Sequence, residues 1–120
     1  MPHFVIDCAR EVLDVQSEEV ILSAIHQAAV SSGLFNEAAI KVRINPYTTY
    51  LAGGKQQPFI HLFAHILTGR TQEQKAALSR LVVAELSRLF PDLPKIAANV
   101  YEMDKGDYVS RQMLEGGDSH

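Results

Sequence analysis

Apolar residues recur along this chain at two periods, and each change of period marks an element. Phe4, Ile6 and Cys8 alternate with His3, Val5 and Asp7, the pattern of a strand with one face on a core. Ser17 then offers an N-cap, with Glu18 and Glu19 at the positive end of the helix it opens. Ile21, Leu22, Ile25, Ala28 and Ala29 follow at helical spacing, and Gly33 can close the helix. Ile40, Val42 and Ile44 alternate with Lys41 and Arg43, which predicts a second strand. Residues 46–57 read as a loop or hairpin with its turn at Gly53-Gly54.

The same order starts again at Pro58. Residues 59–67 are nearly all apolar, which predicts a strand buried on both faces. Thr71 and Gln74 have the spacing of a capping box, and Leu78, Leu81, Val82, Leu86 and Leu89 form the apolar stripe of a longer helix. Pro91 and Pro94 stop it, and residues 96–103 read as a fourth strand. Pro2 and Pro58 open the first and third strands, and Ile40 and Ile96 lie in the second and fourth, at the same offset. The expectation is a β-α-β duplication, with halves at about 2–47 and 58–103, in one α+β domain over residues 1–112. Residues 113–120 would be a polar tail. The two halves make one four-stranded sheet with both helices on one side. Its other face then needs a cover that one chain does not supply, so oligomerisation is expected.

Composition narrows the function classes. The length of 120 residues suits one core, and 47% hydrophobic with 21% charged residues is an ordinary globular balance. A net charge of −3 gives no footprint for nucleic acid. No apolar run is long enough for a membrane span and no signal peptide is evident, so a cytoplasmic location is expected, with neither nucleic acid nor membrane as partner. The single cysteine, Cys8, forms no intrachain disulfide and builds no zinc site alone.

Candidate chemistry gathers at few positions. Removal of Met1 would leave Pro2 as a secondary amine at a strand start. An α-amino group has a pKa of about 7.7–8.0, and burial and nearby cations both lower it, which suits a base working near neutrality. Arg70 follows Gly69 and directly precedes the second helix, where it could hold a carboxylate in a bidentate grip. Lys41 and Arg43 are two apart on a strand and so share a side, which suits either an anionic ligand or plain solvation. His61 and His65 lie about 13 Å apart along a strand, too far for one zinc ion. His3 and His26 have no partner pattern. Gly53-Gly54-Lys55 lacks the spacing of a phosphate loop, and Cys8 reads as a buried, inert thiol.

Several stretches together resemble a known family. Met-Pro-His-Phe-Val-Ile-Asp-Cys at 1–8, Gly-Leu-Phe at 33–35, Ile-Lys-Val-Arg at 40–43 and Thr-Gly-Arg-Thr at 68–71 are similar to the 5-carboxymethyl-2-hydroxymuconate isomerases. These belong to the tautomerase superfamily, with 4-oxalocrotonate tautomerase and macrophage migration inhibitory factor. The resemblance implies a duplicated β-α-β fold assembled as a homotrimer, with no metal or organic cofactor. It implies that Pro2 is the catalytic acid/base, that Arg70 is a functional arginine, and that Lys41 stands where the family has arginine, with Arg43 able to compensate. The implied reaction is the keto–enol conversion of 5-carboxymethyl-2-hydroxymuconate in 4-hydroxyphenylacetate (homoprotocatechuate) degradation. The alternatives are a tautomerase of another 2-oxo acid and a non-catalytic oligomeric binding protein on the same fold.

Overall fold

Alternation in the strands sorts their side chains cleanly between two faces, and that sorting builds the fold. The computed structural model describes residues 1–116. Strand β1 (His3–Ala9) is followed by helix α1 (Glu18–Ser31) and strand β2 (Lys41–Tyr47); strand β3 (Ile60–Leu67) by helix α2 (Gln72–Leu89) and strand β4 (Ile96–Met103). The sheet order is β2-β1-β3-β4. Strands β1 and β2 are parallel, β3 and β4 are parallel, and β1 meets β3 antiparallel. Each half is thus a crossover unit, and the sheet is mixed.

Both helices lie on one face. Phe4, Ile6 and Cys8 of β1 and Ile60, Leu62, Ala64 and Ile66 of β3 are buried beneath Ile21, Ile25, Ala29, Leu78, Val82 and Leu86 of the helices. Burial of those apolar side chains supplies the main favourable term in folding. The caps agree with the sequence. Ser17 accepts from the Val20 N–H at 3.2 Å, and Thr71 and Gln74 form a full capping box. The Gly53-Gly54 turn is closed by a bridge between Ala52 and Lys55, and both glycines have positive φ.

Two expectations need correction. Strand β3 is not buried on both faces of the chain: His61, Phe63 and His65 are half-exposed on the side away from the helices. That side holds an aromatic row, with His61 stacked on Phe63 at 4.5 Å and Phe63 and His65 both stacked on Tyr101. The hydrophobicity of Phe63 is real, but a strand's period of two sends it to the open face. The duplication also holds for topology and not for strict register. The first crossover, from His3 to its partner Lys41, is two residues longer than the second, from Ile60 to its partner Ile96. The first half spends residues on a 3-10 turn at Glu37–Ala39 and has the shorter helix. At the C-terminal end, a short helix α3 (Arg111–Leu114) includes Met113 and Leu114 of the expected tail, while 117–120 lie outside the described residues.

Candidate active site

Strand direction decides which residues can meet. Strands β1 and β2 start, and β3 and β4 end, at the same edge of the sheet. The first amine of the chain is therefore set between the start of β2 and the loop that leads from β3 into α2.

At this edge the amine of Met1 points to the Ala39 carbonyl at 3.4 Å, and the Lys41 ammonium donates to that same carbonyl at 2.9 Å. One carbonyl thus holds two cationic groups side by side. The Ala39 carbonyl is itself fixed by the 3-10 turn, which Asn36 caps by accepting from the Ala38 N–H. His26 of α1 pairs with Glu37 at 2.9 Å and ties the turn to the helix. That gives His26, which has no partner pattern in the sequence, a positioning role.

Arg70 approaches from the other side. Its guanidinium donates to the Leu34 carbonyl at 2.5 Å and lies over the Phe35 ring, 5.1 Å from the centroid. Phe35 packs edge-on against Phe4 at 6.0 Å. Gly33, with φ of 71°, turns the chain after α1 so that the Leu34 carbonyl and the Phe35 ring face the arginine. Pro2 lies just under Met1 and its side chain is fully buried. Its carbonyl accepts from the Lys41 N–H at 3.1 Å, which locks the start of β1 against β2.

The electrostatics follow from this placement. Partial burial, then the Lys41 charge and then the Arg70 charge hold the N-terminal amine below its ordinary pKa, because each disfavours the ammonium form. His3 is also lowered, first by burial and then by Arg43 and Lys41. Burial first, then Asp7 and Glu18, push the Cys8 thiol up to about 11, so Cys8 is no nucleophile at neutral pH.

Of the four residues singled out for the site, the structure brings together the Pro2 end of the chain, Lys41 and Arg70. Arg43 is placed differently. It sits one step further along β2 on the same face as Lys41, and its guanidinium donates to His3 Nδ1 at 2.9 Å. That bond ties Arg43 into the open sheet face. Lys41 therefore faces the amine without help from Arg43. His61 Nε2 donates to the Asn99 Oδ1 at 2.8 Å, and no group of three or more metal-ligating side chains occurs among the described residues.

A family model described as 5-carboxymethyl-2-hydroxymuconate isomerase matches residues 2–100. The chain belongs to this family. Among solved structures, a 5-carboxymethyl-2-hydroxymuconate isomerase from Deinococcus radiodurans R1 superposes with a TM-score of 0.79 at 19% identity, covering 92% of this chain and 88% of that one. A protein inactivated by 2-oxo-3-pentynoate, Pt0534, gives 0.81 at 21% identity over 98% and 94% of the two chains. A fused 4-OT described as a symmetric trimer gives 0.75 at 19% identity, over 98% and 94%. At these identities the superpositions establish the fold alone. No curated protein matches the sequence.

Within this isomerase family member, sequence reasoning missed the supports of the site. Leu34 and Phe35 belong to the Gly-Leu-Phe stretch, yet nothing in their spacing says that a carbonyl and a ring would receive Arg70. The available signal was Gly33: a glycine ending a helix turns the chain sharply, and the next residues then face whatever lies beyond the sheet edge.

Proposed function

We propose that this chain is a keto–enol tautomerase that converts 5-carboxymethyl-2-hydroxymuconate to its 2-oxo-3-ene isomer, with the amine of Pro2, freed by loss of Met1, as general acid/base. The carrying observation is the position of the chain's first amine, partly buried at the sheet edge beside Lys41 and with Arg70 across from it. In the described chain Met1 holds that amine and stands in for the Pro2 amine of the processed form. Loss of Met1 would open the buried ring of Pro2 to the edge and leave its nitrogen as a secondary amine among the same groups.

The neutral amine takes the proton from the 2-hydroxyl as the C2–O bond gains double-bond character. The ammonium so formed delivers a proton to C5, and the amine is restored. One base serves both transfers, so no cofactor is required by the chemistry. Arg70 and Lys41 hold carboxylates and oppose the negative charge that grows on the 2-oxygen. Phe35, braced by the buried ring of Phe4, carries the Arg70 guanidinium on its face and so helps to hold it at this edge.

The same reading places the reaction in 4-hydroxyphenylacetate degradation in the cytoplasm and the chain in a homotrimer whose open sheet faces meet. The uncovered aromatic row of Phe63 and Tyr101 and the trimeric fused 4-OT support the assembly. A second reading, a tautomerase of another 2-oxo acid, is favoured by one feature. Lys41 is a point charge where the family resemblance places an arginine, and it lacks the planar fork for bidentate binding.

The test is an ultraviolet assay with the muconate dienol on Met-processed chain, with intact mass confirming the processing and a Met-retained form beside it. Turnover is expected only in the processed form. Pro2→Ala in that form should lose about a hundredfold in kcat, within the range of a lost general base. Equal turnover with Met1 attached would overturn the mechanism.

A further inference from the structure

The cationic edge does not end at Arg70. Strand β4 finishes beside β3, and the Thr68 N–H donates to the Met103 carbonyl at 3.1 Å, so the segment after β4 is carried onto the edge that holds the amine. Asp104 then accepts from the Gly106 N–H at 2.8 Å and bends the chain into a 3-10 turn at Lys105–Asp107. That turn directs Lys105 back across the edge. Its Nζ lies 3.5 Å from the point where a Cβ on Gly69 would stand, over the residue that precedes Arg70.

Charge pairing distinguishes Lys105 from its neighbour. Lys75, on the first turns of α2, is neutralised by Glu102 at 3.1 Å. Lys105 has no carboxylate within salt-bridge distance among the described residues. Gly69, with φ of 128°, both makes the bend into α2 and leaves bare backbone beneath the ammonium. The edge thus runs from Lys41 at β2, past the amine and Arg70, to an unpaired ammonium at β4. Arg43, the other cation that could have extended it, is held by His3 on the open face.

We infer that Lys105 is a substrate-anchoring residue: it takes a carboxylate remote from the reacting carbons and selects polycarboxylates over monocarboxylates. This rests on the reading of the edge as an anion-binding tautomerase site. Lys41 and Arg70 flank the amine and serve the carboxylate nearest the enol. A substrate with further carboxylates reaches across the β3–β4 side, where Lys105 receives one of them.

The experiment is calorimetric and independent of turnover. Met-processed wild type, Lys105→Gln and Lys105→Arg are titrated with propane-1,2,3-tricarboxylate and, separately, with phenylpyruvate. Lys105→Gln should weaken the tricarboxylate about three- to tenfold and phenylpyruvate less than twofold, and Lys105→Arg should restore the tricarboxylate. Loss of affinity for both ligands alike, or for neither, would overturn the assignment. A wild type that discriminates through Lys105 but does not turn over the dienol would sink the catalytic reading and leave the anchor standing. Turnover with no Lys105 effect on tricarboxylate affinity would do the reverse.

Discussion

A single amine carries the proposed chemistry, and its protonation state is set by neighbours that can be removed one at a time. At Met1, burial lowers the pKa of the chain's first amine and the Lys41 and Arg70 charges lower it further; the Pro2 amine of the processed chain is expected to meet the same groups. The neutral form is the base, so kcat/KM should fall on the acid side of an apparent pKa below the ordinary α-amino value. Removing a nearby cation makes the ammonium easier to form and raises that pKa. Lys41→Ala should therefore shift the acid limb of the pH profile to higher pH, while Lys41→Arg keeps the charge and leaves the limb in place. A limb that does not move in Lys41→Ala, measured under saturating and limiting substrate, would mean that Lys41 does not face the working base. The positions of Pro2 and Lys41 at strand starts and of Arg70 before a helix were legible in the sequence from strand parity and capping, and their grouping into one site came only with the family resemblance. The diversion of Arg43 was not, since period-two alternation fixes a face but cannot say that His3 lies across the strand pair to capture the guanidinium.

The elements matter to the site through their ends. Arg70 is anchored by the start of α2 next to it: Thr71 accepts from the Gln74 N–H at 3.1 Å, and the Gln74 side chain accepts from the Thr71 N–H at 2.8 Å. This reciprocal pair satisfies two donors that the helix start would otherwise leave open. Thr71→Ala should cost about 1 kcal/mol of stability, read as a lower denaturant midpoint at fixed protein concentration, and Thr71→Ser should recover most of it. An unchanged midpoint in Thr71→Ala would show that tertiary packing alone holds the start of α2. The box was plain from the sequence, as were all four strands and both long helices, because each rests on local periodicity or local capping. What the sequence concealed were the contacts between ends. The Ala39 carbonyl that receives Lys41, the Leu34 carbonyl that receives Arg70 and the bare Gly69 backbone under Lys105 depend on how loops from different strands converge at one sheet edge. No local pattern encodes that convergence.

At the scale of the whole molecule, the chain has one covered sheet face and one open face. Its radius of gyration of 15.3 Å exceeds the roughly 13.6 Å expected of a compact chain of this length, because the molecule is elongated, with extents of 49 × 27 × 26 Å. The open face is not a plain solvated surface. Tyr101 is 45% exposed, and with Phe63, His61 and His65 it forms a continuous aromatic row across β3 and β4. Arg43 with His3, Asn45 with Asp7, and His61 with Asn99 are already paired beside it, so a partner that covers the row meets side chains with one hydrogen bond each already made. Phe63 lies on a central strand opposite Val5 and Asn99, away from the helix-side core, so a charge there tests assembly without opening the core. The chain is expected to sediment as a trimer, and Phe63→Glu to sediment as a monomer with an unchanged far-ultraviolet circular dichroism spectrum, since desolvating a carboxylate between sheets costs far more than burying the phenyl ring it replaces. A wild-type monomer at micromolar concentration, or a Phe63→Glu trimer, would show that the row is not the surface on which copies meet.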